Sequence, residues 1–340
     1  MEWFVVVVTL GTVSASTCVI GAGPVGLATA LWLTDDGQNV TVFEQSDRIG
    51  GRVQAWRDPD GNVHEVGAIL SCAEYTLTDQ LMRRFAVEPL SWFGYFVFKL
   101  DVLKFNAWAF CEIVANGWSN AFCAACGYDG STLKQMERGY PLTKRTCGLS
   151  WRTAAWSQLT ARIAAALPSI RINTQIQSLE ALKPNCDVIV VTGSSSAIVD
   201  RPTVFDALKT TPYWSAVVEC AARPHVNDAY VSELLVTNQH GNRYLTVYGY
   251  VYGNEPTTQA RMRTKLGQTF GCEVVDVPFW KVWWEYFPRF DDEWARDEVE
   301  RLQGLDGVYW VGAYMSFDAI EPSLRYAKRV FDQSLASCTG

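Results

Sequence analysis

The chain has 340 residues, of which 49% are hydrophobic and 19% are charged. This length exceeds one ordinary hydrophobic core and predicts two closely connected domains, and the composition excludes a disordered protein. The formal net charge of −7 comes without a basic run, so we expect no nucleic-acid partner. The three histidines, His64, His225 and His240, lie far apart without companion ligands at metal spacing, so we expect no metal site.

The N-terminus allows two interpretations. Residues 3–13 are apolar and uncharged, and Ala15 ends a small-residue sequence that resembles a signal-peptide cleavage site. However, Glu2 stands where a signal peptide usually carries positive charge. Residues 1–16 are therefore either a signal peptide, which predicts a secreted or endomembrane protein, or an apolar extension of a cytoplasmic one. Membrane contact at this end stays open, and no other stretch is apolar enough to span a bilayer.

Residues 17–44 have the pattern of a strand, a glycine turn, a helix and a second strand. The turn contains Gly21, Gly23 and Gly26 in GxGxxG spacing, and Gly37 is placed to end the helix in a left-handed cap. The pattern predicts one parallel βαβ unit.

The spacing of these glycines indicates a dinucleotide site. Gly21 permits a tight turn, Gly23 lets backbone amides approach a pyrophosphate, and Gly26 lets the helix pack closely on the strand. The helix N-terminus favours the phosphate charge. Glu44 ends the second strand, on the order of 20 residues further on, where it can accept from both ribose hydroxyls of an adenosine. A carboxylate there repels a 2′-phosphate and disfavours NADP.

A second glycine pair follows in the sequence IGGR at 49–52. The order GxGxxG, acid, GGR resembles the dinucleotide motif of FAD flavoproteins of the amine oxidase class. The resemblance implies that Gly50, Gly51 and Arg52 also approach the pyrophosphate.

Residues 61–71, GNVHEVGAILS, resemble the acid-x-Gly-Ala segment of the same family. Glu65, Gly67 and Ala68 take the positions at which, in that family, the backbone lies against the flavin. The alternative interpretation is a simple β-hairpin arm.

Residues 89–126 are dense in aromatic side chains. Such density favours the packing of a helical cap, with a substrate roof or membrane contact by residues 93–110 as alternatives. Cys123 and Cys126 form a CxxC without a second pair, which argues against a zinc or redox site. A disulfide within residues 111–147 stays open. We expect Cys18 and Cys186 to be thiols buried beside strands.

Residues 153–167 have helical spacing, 170–179 are expected to form a strand, and 186–193 form a strand buried on both faces of a parallel sheet. The family resemblance places Ile176 at the adenine and returns the chain to the nucleotide at Thr192 and Gly193. Ser194 to Ser196 are expected to form a loop, because no nearby histidine can activate a serine nucleophile.

The segment from 202 to 284 predicts an antiparallel substrate sheet. Its alternating segments are 216–221, 230–237 and 244–252. We expect a loop at 254–258 and a helix over 259–270.

Three C-terminal sequences, WWEYFPR at 283–289, LQG at 302–304 and VYWVG at 308–312, resemble the closing region of flavin amine oxidases. The nearest likeness is to the fungal cyclopiazonate oxidocyclase type. Gly312 then takes a flavin-contact position, and Ala313 stands where the family usually has an acidic residue that binds the ribityl chain. Trp284 and Tyr286 are expected either to stack around the isoalloxazine or substrate, or to pack in the core.

Glu321 and Pro322 open a helix that continues to about 336. In the family this helix points its N-terminus at the flavin, and unpaired amides at Ile320 and Glu321 would stabilise negative charge on the reduced ring. The chain lacks the cysteine-containing segment used for covalent attachment, so we expect non-covalent FAD. The family's lysine near the flavin has no clear counterpart, Lys281 being the nearest in sequence.

The predicted fold class is α/β, with a FAD-binding Rossmann-like domain and an α+β substrate domain. The first contains a parallel sheet and is expected over 17–71, 151–197 and 300–336. The second contains an antiparallel sheet and is expected over 72–150 and 198–299. The residues expected to contact FAD are Gly21, Gly23, Pro24, Val25, Gly26, Glu44, Gly50, Gly51, Arg52, Gly67, Ala68, Ile176, Thr192, Gly193, Gly312, Ala313, Ile320 and Glu321.

The resemblance implies an FAD-dependent oxidoreductase of the amine oxidase type. Hydride would pass from a carbon beside an amine, or from another activated carbon, to flavin N5. The substrate is expected to be a small amine or a hydrophobic metabolite, with oxygen or another acceptor reoxidising the flavin. Two alternatives stay open, namely a desaturase or oxidative cyclase of a hydrophobic secondary metabolite, and a degenerate relative without turnover, which Ala313 suggests. An NAD dehydrogenase is disfavoured by GGR.

Overall fold

A computed structural model describes most of the chain outside its N-terminus and residues 93–150. The described residues are 16–72, 75–88, 91–92, 151–153, 155–193, 195–224, 228–231, 234–251, 253–286, 288–290, 292–316 and 320–338. The predictions for the N-terminal stretch, the aromatic segment 93–110 and the Cys123 to Cys126 pair therefore lie outside the described residues.

The strands are β1 (Ser16–Ile20), β2 (Asn39–Phe43), β3 (Ala55–Arg57), β4 (Val63–Glu65), β5 (Leu70–Cys72), β6 (Ser91–Trp92), β7 (Trp151–Thr153), β8 (Ile170–Arg171), β9 (Val188–Val191), β10 (Leu208–Lys209), β11 (Tyr213–Cys220), β12 (Asp228–Val231), β13 (Leu234–Thr237), β14 (Tyr244–Tyr250), β15 (Val274–Trp283), β16 (Arg289–Phe290) and β17 (Val308–Trp310). The helices are α1 (Pro24–Asp35), α2 (Thr76–Arg84), α3 (Trp156–Ala165), α4 (Glu255–Phe270), α5 (Glu293–Arg301) and α6 (Ile320–Cys338).

A parallel sheet of order β17-β9-β1-β2-β8 forms the first layer. Val19, Val42 and Val190 are fully buried in it, as expected of apolar strands covered on both faces. Helix α1 packs against α3 and α6. Because the strands are parallel, the carboxyl ends of β1, β2, β9 and β17 meet at one edge, where α/β sheets bind ligands.

The predicted βαβ unit is confirmed. Strand β1 pairs in parallel with β2, and α1 connects them. Gly37 has φ +82° and donates its N–H to Thr34 O at 3.0 Å, so it ends the helix in the left-handed conformation that was predicted.

The strand predicted over 170–179 is wrong in length, because only Ile170–Arg171 joins the sheet. Asn173 has φ +53°, which turns the chain out of the extended conformation. The backbone N–H groups of Asn173 and Thr174 still donate to Ser46 O and Glu44 O, both at 2.8 Å.

The second layer is an antiparallel sheet of order β12-β13-β14-β11-β15, which confirms the predicted sheet. Its buried face, including Trp214 and Val247, forms a core with Met262 and Leu266 of α4. The single strand predicted over 230–237 is instead the hairpin of β12 and β13. Strand β15 was not predicted. It lies at the sheet edge, which is where a strand with an internal proline fits.

Helix α4 begins at Glu255, so the loop predicted for 254–258 is wrong beyond its first residue. Asn254 is the N-cap, and its side chain accepts from Thr257 N at 3.0 Å. The cap and Pro256 in the first turn account for the earlier start.

Two disulfides join Cys18 to Cys186 and Cys220 to Cys272. The expectation that Cys18 and Cys186 are free buried thiols is therefore wrong. Cys186 lies two residues before β9, the strand that neighbours β1, and its Cα is 5.8 Å from that of Cys18, a separation that a disulfide spans.

In the described part of the chain, no helix combines the length and the apolar character needed to cross a bilayer. The strands of the parallel sheet come from the segments predicted for the FAD-binding domain, and those of the antiparallel sheet come from the segments predicted for the substrate domain. The domain boundaries themselves stay a prediction.

Candidate functional site

The glycine turn after β1 contains two glycines that the protein itself requires and one that leaves room for a ligand. Gly21 has φ +104°, and a Cβ there would lie 2.8 Å from Thr192 Oγ1. A Cβ on Gly26 would collide with Gly21 O. At Gly23, by contrast, no described atom lies within 4 Å of the Cβ position. The turn therefore faces open space at Gly23, as a site for an external group requires.

The first turn of α1 presents its backbone to this space. Gly23 is the N-cap and has no side chain that could satisfy the amides of the turn. Pro24 occupies the first helical position, and the turn that includes Val25 carries no acidic side chain. The helix N-terminus is thus suited to an anion such as a pyrophosphate.

Glu44 lies buried at the end of β2, as predicted, and its carboxylate shapes the glycine turn. Oε2 accepts from Ala22 N at 2.8 Å, and Oε1 accepts from Ser46 N at 2.9 Å and Ser46 Oγ at 2.7 Å. The sequence did not reveal this bond to Ala22. Its predicted contact with ribose hydroxyls stays a prediction.

The second glycine pair packs on the first turn. Gly50 N donates to Ala22 O at 2.8 Å, and Gly51 has φ +54°. A Cβ on Gly51 would lie 3.2 Å from Gly23 Cα. The guanidinium carbon of Arg52 lies 5.1 Å from the ring centroid of Tyr286. The structure therefore brings together the GxGxxG turn and the GGR sequence.

Residues 65–68 lie against the turn formed by 52–54. Val66 N donates to Gln54 O at 2.8 Å, and Ala68 N donates to Arg52 O at 3.2 Å. A Cβ on Gly67 would collide with Arg52 O. The hairpin interpretation also holds, because β4 pairs with β3 immediately before this segment.

The Glu65 side chain is fully buried and reaches α3. Its Oε1 accepts from Ser157 N at 2.9 Å and from Ser157 Oγ at 2.5 Å. Its Oε2 has no hydrogen-bond partner within the described residues. Burial raises the pKa of Glu65 to about 7, against the opposing effect of the two bonds from Ser157. No pattern in the sequence indicated this contact.

Thr192 and Gly193 follow the end of β9 and lie beside the glycine turn. Thr192 Oγ1 donates to Ile20 O at 2.9 Å, and no described atom lies within 4 Å of a Cβ on Gly193. Both positions lie beside the glycine turn, and their contact with a nucleotide stays a prediction. Ile176 is half-buried against the hydrophobic core and lies outside any strand.

Gly312 follows β17 in an extended conformation, and a Cβ there would lie 2.5 Å from the Tyr314 ring. Ala313 begins a short 3-10 turn, Ala313–Met315. Packing against Tyr314 therefore explains why residue 312 is a glycine. The effect of Ala313 on flavin binding stays a prediction.

The side chain of Glu321 serves a structural role that the sequence did not reveal. It is fully buried, and its Oε2 accepts from Thr78 N and Thr78 Oγ1, both at 2.8 Å. Its Oε1 pairs with Arg325 at 2.8 Å. The carboxylate thereby ties α6 to the first turn of α2. The role predicted for Ile320 and Glu321 concerns their backbone amides and stays a prediction.

The structure separates the two aromatic residues proposed for stacking. Tyr286 is half-buried, with its ring stacked on Tyr213 at 5.0 Å between centroids, and it faces the Arg52 guanidinium. Trp284 is 65% exposed. Tyr286 is therefore the better placed of the two beside the GGR turn.

Lys281 lies on β15 and reaches the same turn. Its Nζ donates to Gln54 Oε1 at 2.8 Å and lies 4.1 Å from the ring centroid of Trp283. Burial, followed by the positive charge of Arg48, lowers the pKa of Lys281. The sequence alone did not locate Lys281 relative to the candidate flavin site. The register of β15 brings it to the turn formed by 52–54.

The structure describes no cluster of three or more side chains suited to a metal ion. The described residues fit a dinucleotide, because two glycine turns, a helix N-terminus and an arginine converge on one edge of a parallel sheet.

The comparison with protein families matches residues 19–85 to the NAD(P)-binding Rossmann-like domain. Residues 19–85 have the fold of that domain. A 75-residue segment is 37% identical to 15-cis-phytoene desaturase of Synechococcus elongatus and covers 22% of this chain and 16% of the desaturase. The matched segment thus spans less than a fifth of that relative.

Solved structures resemble the chain over nearly its whole length. The CLA-producing fatty acid isomerase from P. acnes has a TM-score of 0.69 at 16% identity, covering 94% of this chain and 98% of the isomerase. Cyclohexylamine oxidase from Brevibacterium oxydans has a TM-score of 0.67 at 14% identity, covering 96% and 100%. These likenesses confirm the predicted α/β fold class.

Proposed function

We propose that the chain is an FAD-dependent oxidoreductase that removes hydride from a small organic substrate. The observation that carries the proposal is the packing of Gly51 on Gly23, with open space at the Cβ position of Gly23. Two glycine turns at one site suit a dinucleotide whose pyrophosphate lies against backbone amides. When bound, the flavin supplies the hydride acceptor.

Different residues of the chain would bind the different portions of FAD. The first turn of α1 and the Arg52 guanidinium would bind the pyrophosphate, and Glu44, which lies buried beside the glycine turn, would bind the ribose. The backbone of Gly67 and Ala68 borders the Arg52 turn and would bear the ring system. The amides that open α6 would face its negative charge.

On the substrate side, Tyr213, Tyr286 and Trp283 supply apolar surface, and Lys281 supplies a cation or, once deprotonated, a base. The lowered pKa of Lys281 eases the loss of its proton. We propose that these groups orient a substrate carbon next to an amine nitrogen and hold a proton at Lys281 Nζ. The fold shared with cyclohexylamine oxidase supports an amine substrate.

A second candidate is the desaturation or oxidative cyclisation of a hydrophobic metabolite. The 37% identity of the nucleotide-binding segment to a phytoene desaturase favours it. The resemblance of the C-terminal sequences to oxidocyclases also favours this second candidate, although that resemblance itself stays a proposal. Both candidates use the same aromatic surface, and they differ in whether the substrate carries an amine.

The visible absorption spectrum of the purified protein tests the proposal. We expect flavin bands, and after acid precipitation the colour should stay in the supernatant, as non-covalent FAD requires. Peroxide release with a panel of amines would support the amine candidate, and bleaching of the flavin only by apolar polyenes would support the second. A protein that stays colourless after incubation with FAD contradicts the proposed function and indicates a degenerate relative.

A further inference from the structure

Glu65 lies where three parts of the chain meet. Its side chain accepts two hydrogen bonds from Ser157 in the first turn of α3. Its main chain exchanges hydrogen bonds with the Gln239 side chain, at 2.8 and 2.9 Å, and accepts one from Tyr248 OH at 2.6 Å. One residue therefore ties the β3–β4 hairpin to α3 and to the antiparallel sheet.

The segment that leaves this junction borders the candidate flavin site. Val66 and Ala68 bond to Gln54 and Arg52, and Gly67 is held so closely against Arg52 O that no side chain fits there. Any rotation of the backbone at residue 65 would carry over to the Arg52 turn, since all three following residues contact 52–54.

The carboxyl group is buried with one oxygen satisfied and the other without a partner. Oε1 receives both bonds from Ser157, whereas Oε2 has none within the described residues. An ionised carboxylate would bury a charge on an oxygen without a donor, which is costly. A protonated carboxyl keeps the Ser157 bonds on Oε1 without that charge.

We infer that Glu65 is a positioning residue of the flavin site, which fixes the backbone of 66–68 and the Arg52 turn through α3 and carries a proton that couples flavin binding to pH. This inference rests on the proposed function. The pKa of about 7 places the proton's release near neutrality. The titratable group facing Glu65 from the sheet is Tyr248, whose own pKa is raised by burial and by the Glu65 charge. The titratable residue that precedes Glu65 on β4 is His64, whose Nε2 bonds to Asp58 Oδ2.

The test compares Glu65→Ala and Glu65→Gln with the wild type by FAD titration. The control is Asp292→Ala, which removes a carboxylate that caps α5 through Trp294 N, a contact unrelated to the glycine turns. E65A removes the acceptor for Ser157 and should loosen residues 66–68 and the Arg52 turn, so we expect it to weaken FAD binding by roughly tenfold, the size of the effect that losing a helix-capping side chain has on folding. E65Q, which keeps an acceptor for Ser157, should bind within about threefold of the wild type.

Measuring the Kd for FAD over a pH series distinguishes two roles of Glu65. In one its proton affects FAD binding, and in the other the side chain only packs. We expect the Kd for FAD in the wild type to change between pH 6 and 8, around the Glu65 pKa of about 7, and to be level in E65Q over the same range. If E65A does not fold, Ser157→Ala replaces it, with an expected loss of about threefold from the missing hydroxyl.

Three results would overturn the inference or its basis. Equal FAD affinities of E65A and D292A would show that Glu65 does not position the site. A pH step that persists in E65Q would assign the proton to another group. A wild type that binds no FAD would contradict the proposed function itself, and the inference would fail with it.

Discussion

Gly23 differs from the other two glycines of its turn, because nothing in the described chain lies where its Cβ would be. Its φ of −73° also suits alanine, so packing and backbone conformation leave the position free. If the glycine is needed, the need comes from a group outside the protein.

Gly23→Ala therefore tests the cofactor site without disturbing the fold. We expect the variant to unfold at the wild-type denaturant midpoint and to lose about 1–3 kcal/mol of FAD binding free energy, which is roughly 5- to 160-fold in Kd. Gly267→Ala is the matched control, since its new Cβ would also meet only ordinary contact, at 3.8 Å from Cys272 O. Equal FAD affinity in both variants would place the pyrophosphate elsewhere.

His64 is a buried residue whose protonation opposes folding. Burial lowers its pKa, and its Nε2–H donates to Asp58 Oδ2 at 3.1 Å. Its Nδ1 has no partner among the described residues, so a proton there would be buried without an acceptor. Burial by itself would raise the pKa of Asp58, but hydrogen bonds from Asn62 and His64 hold it at about 2, so Asp58 stays ionised.

The lowered pKa fixes the sign of a stability effect. The unfolded chain binds this proton more readily, so the contribution of His64 is present above pH 6.5 and is lost as the pH falls below it. We expect His64→Gln to lessen the fall in unfolding free energy between pH 6.5 and 5 by about 1 kcal/mol, measured by urea titration.

Glu65→Gln provides a control of opposite sign. The raised pKa of Glu65 gives a contribution that is present below pH 4.5 and lost as the pH rises through about 7. Removing it should steepen the rise of stability with pH where H64Q flattens it. Parallel stability curves for the wild type and H64Q would show that His64 does not titrate in this range.

At the scale of the elements, the pairing of β15 decides where Lys281 acts. Its register on β11 sets Lys281 opposite Ser215 and directs Nζ to Gln54. The sequence does not predict this strand well, because Pro278 has no backbone N–H to donate to a neighbouring strand. A strand with such a proline fits only at the edge of a sheet.

Local polar side chains explain where other element boundaries were misplaced. Asn254 extends α4 by capping Thr257 N, and Asn173 ends β8 by adopting a left-handed conformation. Asparagine suits both a cap and a turn, so its type alone does not determine which of the two it forms.

At the scale of the molecule, the two buried disulfides bear on where the protein folds. We propose that it matures in an oxidising compartment, because disulfides persist there and are rare in the cytosol. This agrees with the signal-peptide interpretation of residues 1–15, which stays a prediction.

The oxidation state of the cysteines tests this proposal. In protein purified without reductant, we expect Cys18, Cys186, Cys220 and Cys272 to be alkylated only after reduction, as mapped by mass spectrometry. Cys220 and Cys272 are separated by 52 positions, so their loop-closure entropy should stabilise the fold by about 4 kcal/mol. Cys220→Ala/Cys272→Ala should lower the unfolding free energy by that order, with Cys18→Ala/Cys186→Ala measured in parallel. Alkylation of all four cysteines before reduction would contradict both the disulfides and the compartment.

The sequence by itself determined the βαβ unit with its glycine turn, the buried strand β9, most of the antiparallel sheet and the C-terminal helix. These features depend on contacts between residues close in the chain, where glycine spacing, apolar period and caps act directly. The resemblance of GGR and of the acid-x-Gly-Ala segment then extended the candidate site beyond the first turn.

Only the tertiary structure decided which distant side chains complete the site. Glu65 meets Ser157 across 92 positions, Gln54 meets Lys281 across 227, and Thr78 meets Glu321 across 243. Such contacts depend on the order and register of strands in two sheets, which no local pattern records. The same holds for Cys18 and Cys186, which are bonded because β1 and β9 are neighbours.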